Sequence, residues 1–362
     1  MNNLGTVQSI ADRVARGDMN LGRVYSKQDG DYVLLNYTRE AMYGGDMTDT
    51  EKACRGLVVR TDGKIMALPM PKFFNLGEPQ CPSLPDEAYT VREKIDGSLG
   101  IFWYDGEKWR CNTRGSLDNE YIDFATWWWT SMVDYVALSP SWTIMTEICF
   151  EGDPEPRAVH HDEGLYLVAA RDNYSGKDFD TGDIGWLGLG FSHPGLVRAK
   201  GLEELQGEQK SAEGTEGWVI RYDSGLRVKI KTSWYLRMFR AIVNLTPKNI
   251  RRMMIGAGES WLDEFPDDLR PEAAAIQAEI ETGFRELLAS IYSAYSKVAS
   301  IKSRKDYALT VLKDYPYIAH WLFNLRDDKF DELRVLESLD LDQFGNAWYH
   351  GGSSLTGQSA RL

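Results

Sequence analysis

Three times in the first 240 residues an apolar run meets an Asp and Gly turn and is answered by a second run. The segments are Gly56 to Leu68 around Asp62-Gly63, Leu99 to Cys111 around Asp105-Gly106, and Trp218 to Lys231 around Asp223-Ser224-Gly225. Asp and Gly tolerate the positive φ of a tight hairpin, and alternation beside the turn gives each strand one apolar face. Repeated hairpins of this kind commit the chain to antiparallel sheet. Leu165 to Ala170 reads as one more buried strand.

Helices interrupt the sheet and then replace it. Asn119 to Leu138 reads as one packed helix, with the aromatics of Trp127-Trp128-Trp129 in the core. After residue 245 the texture changes. Thr246-Pro247 suits a helix start. Pro271 to Ile301 is rich in Ala, Glu, Leu and Ile at helical spacing, and Asp306 to Leu312, Tyr317 to Leu325 and Lys329 to Leu339 continue it. The expected fold class is α+β: an antiparallel-sheet domain over residues 1–245, an all-helical domain over 246–345, and a flexible tail over 346–362. With 362 residues and 43% apolar content, two domains with full cores are expected.

The formal charge is -13, which argues against binding nucleic acid by bulk charge. Its distribution qualifies that. Arg221 to Arg252 holds nine Lys or Arg and one acid, Asp223. A basic strip on an acidic body can hold a phosphate backbone, although it can also be a solvated charged face. Cys54, Cys81, Cys111 and Cys149 form no C-x-x-C pair, so neither a zinc ribbon nor a disulfide frame is expected. His160-His161 reads as a solvated strand end rather than a metal site. The Gly-rich stretch Gly182 to Gly190 is no P-loop, and G-K-[ST] is absent. No apolar run reaches the roughly 18 residues of a membrane span. The N-terminus has no signal-peptide pattern. The expectation is a cytoplasmic protein without membrane contact.

The sharpest chemical feature is Glu93-Lys94-Ile95-Asp96-Gly97-Ser98. A lysine follows a strand-like run, sits before a turn and has a carboxylate two residues on. Desolvation or nearby cations lower a lysine's pKa and free its amine for attack. Downstream, Glu216-Gly217-Trp218-Val219 precedes Lys229-Ile230-Lys231. Lys229 and Lys231 share one strand face. Two ammonium groups on a buried face need an anionic partner, which a triphosphate would supply. The same charges are expected to depress the pKa of Lys94. The plain alternatives are an ordinary strand end at Lys94 and an edge strand defended by lysines.

Lys94-Ile-Asp-Gly-Ser98 resembles motif I of the covalent nucleotidyltransferases, the ligases and mRNA capping enzymes. Other stretches make the chain similar to the phage T4 RNA ligase 1 family. Cys54-Arg55-Gly56 and Pro71-Lys72-Phe73-Phe74-Asn75 resemble its N-terminal signatures, and Asn112-Thr-Arg-Gly-Ser116 resembles the motif after the nucleophile. Thr146-Glu147-Ile-Cys-Phe150 resembles motif III, and Glu216-Gly-Trp-Val219 and Val228-Lys-Ile-Lys231 resemble motifs IV and V.

The resemblance implies an ATP-dependent RNA ligase. Lys94 takes AMP from ATP, AMP passes to an RNA 5′-phosphate, and a 3′-hydroxyl then attacks and releases AMP. Its implied ATP contacts are Arg55, Lys72, Phe74, Glu93, Lys94, Gly97, Arg114, Glu147, Glu216, Lys229 and Lys231. Lys94, Asp96, Lys229 and Lys231 are the implied catalytic set. Glu216 and Asp96 are implied at the metal, Mg²⁺ or Mn²⁺. The implied partner is RNA with 5′-phosphate and 3′-hydroxyl ends, including broken tRNA, acted on by a monomer in a bacterial or phage-infected cell.

Two stretches depart from the family pattern. Arg114 stands where lysine is common, keeping the charge but offering a planar fork. Phe150-Glu-Gly-Asp-Pro-Glu-Pro-Arg157 is longer than the usual Pro-x-x-Arg run, which leaves Glu147 or Glu151 for the ribose, with Glu147 favoured. A DNA ligase or capping enzyme would share motif I but follow motif V with an OB-fold, where this chain reads helical. A non-catalytic RNA-binding protein on a degenerate fold is the remaining alternative. Arg237, Arg240, Lys248, Arg251 and Arg252 are the expected contacts to RNA phosphates.

Overall fold

The computed structural model describes residues 3–179, 181–182, 186, 188–197, 201–256 and 258–341. The chain forms two compact units, Met1–Leu236 and a second beginning at Arg237. The expected tail over 346–362 lies outside the described residues, as does part of the Gly182 to Gly190 stretch.

The first unit contains α1 (Leu4–Ala15), β1 (Val24–Asp29), β2 (Tyr32–Tyr37), α2 (Arg39–Tyr43), α3 (Asp49–Ala53), β3 (Arg55–Arg60) and β4 (Ile65–Ala67). Then come β5 (Tyr89–Glu93), β6 (Ser98–Tyr104), β7 (Trp109–Thr113), α4 (Glu120–Met132), β8 (Trp142–Cys149), β9 (Gly164–Asp172) and β10 (Asp178–Phe179). It ends with α5 (Leu202–Glu208), β11 (Gly217–Tyr222), β12 (Arg227–Lys231) and the start of α6 (Ser233–Asn244). The strands make three antiparallel sheets, ordered β1-β2-β3-β4, β10-β9-β8-β6-β7 and β12-β11-β5. The three expected hairpins are present as β3–β4, β6–β7 and β11–β12, and Gly63, Gly106 and Gly225 take positive φ at their turns.

Alternation decides which faces are buried. Leu34, Val58 and Met66 of the first sheet pack against Leu99, Ile101, Trp103 and Met145 of the second. The outer face of the five-stranded sheet is covered by α4, with Trp129 stacked on Phe102 at 4.1 Å. Of the three tryptophans only Trp129 is fully buried, and Trp127 is 55% exposed. The helix stops at Met132, short of Leu138, because Val133 turns to extended backbone and a 3-10 turn follows over Tyr135–Ala137.

In the three-stranded sheet Val91, Trp218, Ile220, Tyr222, Val228 and Ile230 form one apolar face. The opposite face carries Thr90 and Arg92 of β5, Val219 and Arg221 of β11, and Arg227, Lys229 and Lys231 of β12, all lining one cavity. Val219 pairs with both Arg92 and Lys229, and Arg221 pairs with Thr90 and Arg227, so these side chains form ordered rows.

The second unit is helical: the rest of α6, α7 (Pro247–Gly256), α8 (Arg270–Val298), α9 (Arg304–Asp314), α10 (Ala319–Arg326) and α11 (Glu332–Ser338). Ala273, Ile276 and Ile280 anchor one core along α8, and Ile291, Ala294 and Val298 anchor another. The units divide inside α6, before the boundary at 245 expected from the change in texture. The first helix after β12 follows the strand almost directly, so texture lags the division. Among the described residues, no helix is long and apolar enough to cross a membrane.

Candidate active site

A cavity of about 220 Å³ in the first unit is lined by Arg55, Lys72, Arg92, Lys94, Arg114, Arg221, Arg227, Lys229 and Lys231, against two acids, Glu93 and Glu147. Each cation arrives on a defined element. Lys94 follows β5, where its N–H donates to the Gly217 carbonyl at 2.9 Å. Arg55 opens β3. Arg114 follows β7, whose fully buried Asn112 donates to the Gly56 carbonyl at 3.3 Å and accepts from the Trp103 indole at 3.0 Å. That anchor carries Arg114 to Tyr37, where its Nη1 donates to the phenol oxygen at 3.3 Å.

At one end stands a lysine–glutamate–lysine bridge. Lys94 Nζ donates to Glu216 Oε2 at 2.9 Å, and Lys231 Nζ reaches Oε1 at 2.9 Å. Glu216 is 2% exposed. Burial alone would raise its pKa, but the two ammonium groups overrule burial and hold it below the usual carboxylate range. Lys94 shows the mirror image. Burial pulls its pKa down, and Glu216, Glu147 and Asp96 pull harder upward, so the net shift is up.

The sequence expectation that Lys229 and Lys231 would depress Lys94 is therefore corrected. Lys231 spends its charge on the carboxylate that holds Lys94. The depressed lysine is Lys229, pushed down to about 7 by burial and by Lys72, Lys94, Lys231 and Arg55. Glu147, on β8, lines the cavity and is pushed up to about 7, first by burial, against the pull of Lys94 and Arg55. Glu151 is exposed and absent from the cavity wall, so of the two candidates only Glu147 reaches it.

The Arg55 guanidinium is enclosed enough for burial to lower its pKa, and its Nη1 is buried without a hydrogen-bond partner among the described residues. A buried charged donor left unpaired is costly, which suits a site completed by an anion. Aromatic rings support the cations: Phe73 lies 5.8 Å from Arg55 and 5.5 Å from Lys229, and Tyr37 lies 5.6 Å from Lys72.

Several expected site residues sit elsewhere. Phe74 is 7% exposed and packs with Tyr37, Ala41 and Met47, while its neighbour Phe73 lines the cavity. Residues 71–74 lie outside any strand, so no regular period tells which of the two rings meets the cavity. Gly97 does not line the cavity. A Cβ there would meet the Ile148 carbonyl at 2.8 Å and Cys149 Sγ at 3.0 Å, so it serves the approach of β8 rather than of a phosphate.

Asp96 also turns away from the cavity wall. Its Oδ1 accepts from the Tyr235 hydroxyl at 3.1 Å, and its Oδ2 accepts from the Ala158 and Val159 amides at 3.0 and 3.2 Å. With the oxygens of Asp96 and Glu216 engaged, this pair does not fit direct coordination of a metal. No trio of His, Cys, Asp or Glu suited to a metal occurs among the described residues.

Arg92, Arg221 and Arg227 line the cavity and were missed. Their signal was present: Thr90, Arg92 and Lys94 alternate, as do Arg227, Lys229 and Lys231. Asp178 bridges Arg221 at 3.1 Å and closes on Arg227 as well. In the second unit Arg237, Arg240, Lys248 and Arg252 are exposed. Arg251 is not free for RNA, because its Nη1 donates to the Leu339 carbonyl at 2.9 Å, just past the end of α11.

RNA ligase 1 of bacteriophage TS2126 is 30% identical over 221 residues, covering 52% of this chain and 52% of that protein. RNA ligase of Rhodothermus phage RM378 is 24% identical over 374 residues, covering 79% of this chain and 83% of that protein. The chain thus spans about half the length of the first of these relatives. Among solved structures, an archaeal ATP-dependent RNA ligase superposes with a TM-score of 0.47 at 15% identity, covering 75% of this chain and 78% of that one. Residues 53–235, which carry nearly the whole cavity wall, match the family model described as RNA ligase, and the chain belongs to that family.

Proposed function

We propose that this chain is an ATP-dependent RNA ligase that accepts AMP on Lys94 Nζ. The observation that carries the reading is the placement of a lysine amine on a buried carboxylate, at a cavity whose wall sets nine Lys or Arg against two acids. In the resting state Lys94 is charged and cannot attack. Glu216 Oε2, at 2.9 Å, orients that ammonium but, held below the usual carboxylate range, is too weak a base to keep its proton, which leaves to solvent as the nucleotide binds. The neutral amine then attacks the α-phosphorus of ATP. The nitrogen–phosphorus bond forms, the bond to the bridging oxygen breaks, and pyrophosphate leaves. Phosphoryl transfer of this kind depends on positioning and on neutralising oxygen charge. Lys231 and Lys229 flank Lys94 and face the α-phosphate. Arg55, Lys72 and Arg114 hold the leaving pyrophosphate, with the unpaired Nη1 of Arg55 as the strongest candidate donor. Glu147, on the cavity wall, is the residue assigned to the ribose. Mg²⁺ or Mn²⁺ enters with the triphosphate as part of the substrate, since Mg²⁺ is commonly held by phosphates and water.

AMP next passes to an RNA 5′-phosphate, and a 3′-hydroxyl closes the strand. Family membership supports RNA rather than DNA, and the reading extends to broken tRNA as a substrate. The test is incubation with α-labelled ATP and Mg²⁺, followed by denaturation and a search for label on the chain. Label is expected on the native protein and absent from Lys94→Ala. Unlabelled native protein, or label that persists in the variant, would overturn the reading. Adding 5′-phosphorylated RNA or DNA strands in turn should discharge the label faster with RNA.

A further inference from the structure

The loop that carries Lys94 runs from β5 of one sheet to β6 of another. Its first residue is fixed on β11 through the Gly217 carbonyl. Asp96, Gly97 and Ser98 behind it are gripped by residues 153–161, which overlap the end of the lengthened Phe150 to Arg157 stretch. Arg157 is the centre of that grip. Its Nη1 donates to the Gly97 carbonyl at 3.1 Å and its Nη2 to Ser98 Oγ at 2.7 Å. Its Nε donates to Asp153 Oδ2 at 2.8 Å, and Asp153 in turn accepts from the Tyr121 hydroxyl of α4. The Ala158 and Val159 amides hold Asp96 Oδ2, and the Asp96 amide donates to His161 Nε2 at 3.2 Å. The Arg157 side chain is 11% exposed. Solvent therefore cannot readily replace these bonds, and a planar fork meets two acceptors on successive residues.

We infer that residues 153–161 form a clasp on the nucleophile loop, with Arg157 as a positioning residue that sets where Lys94 Nζ stands relative to Glu216. The clasp explains why Asp96 faces inward: its carboxylate is a latch between the clasp and Tyr235. It also gives His161 a definite partner in place of the solvated strand end expected from the sequence. Arg157 lines no part of the cavity, so it acts through the loop and not on the nucleotide. The consequence for adenylylation rests on Lys94 being the nucleophile; the clasp itself does not.

Two variants and two readouts test this. Arg157→Lys keeps the charge and loses the fork, and Arg157→Ala removes both. Hydrogen exchange at the Asp96 to Leu99 amides should accelerate at least about 10-fold in both, which is the loss of protection expected when a local element opens more easily. Single-turnover labelling at saturating ATP should slow by about 10- to 100-fold in the alanine variant, the scale of a 1 Å misplacement, with the half-saturating ATP concentration unchanged. Unchanged loop exchange in both variants would overturn the clasp whatever the labelling shows. Faster exchange with an unchanged labelling rate would overturn the positioning role. Faster exchange alongside an unlabelled native protein would support the clasp and count against the ligase reading alone.

Discussion

Lys229 and Lys94 face one cavity from the same sheet, and their surroundings push them in opposite directions. Lys94 has a carboxylate at 2.9 Å and stays charged. Lys229 has cations around it and Phe73 5.5 Å away, and burial together with those cations brings it down to about 7 from 10.5. Between those values the unfolded chain binds the proton that the folded chain has lost, so this lysine makes stability rise with pH from about 7 toward 10.5. Lys229→Met removes that dependence. The nucleotide-free variant should be more stable than the native protein at pH 6, with the gain shrinking by pH 9. Glu147, raised to about 7, acts in the opposite sense between its ordinary 4.5 and that value, but it is common to both proteins. Thermal melts at the two pH values check this, and a pH-independent difference would refute it.

Elements rather than single side chains hold the loop in place. β8 passes so close behind Gly97 that a methyl group would press on the Ile148 carbonyl and on Cys149. Gly97→Ala should therefore cost about 1–3 kcal/mol of stability, the range for overpacking. Denaturant titration without nucleotide measures it. An unchanged midpoint would return Gly97 to a role in phosphate approach. The hairpins were legible because turn chemistry is local: Asp62-Gly63, Asp105-Gly106 and Asp223-Ser224-Gly225 announce themselves. The phase of Pro71 to Asn75 was not legible. No strand alternation governs it, and its facing is set by a single parallel bridge between Asn75 and Lys229.

At the scale of the whole molecule, a chain of net charge -13 still sets nine Lys or Arg around one cavity and five more between Arg237 and Arg252, at the start of its helical unit. If RNA phosphates meet that unit, they meet its exposed cations. Arg251 is excluded as a simple probe, because its bond to the Leu339 carbonyl ties α7 to the end of α11. The informative change is Lys248→Ala with Arg252→Ala, both exposed. RNA binding should weaken and the slope of log affinity against log salt should flatten by about 1–2, one per lost phosphate contact, while labelling by ATP is kept. Filter binding across a salt series measures this, and an unaltered slope would remove these residues from the RNA contact.

The sequence by itself determined the antiparallel strands, the later helices, the lysine at the end of β5 and the shared face of Lys229 and Lys231. Each follows from local turn chemistry or from a fixed period along one segment. Tertiary structure alone decided which charge answers which. Glu216 lies far from Lys94 in sequence and touches it in space, so Lys94 is held charged and the depression falls on Lys229. Asp96, two residues from the nucleophile, turns its carboxylate to Tyr235 and the 153–161 segment. Electrostatic energy depends on distance and burial, and neither can be read along a chain until its sheets have packed.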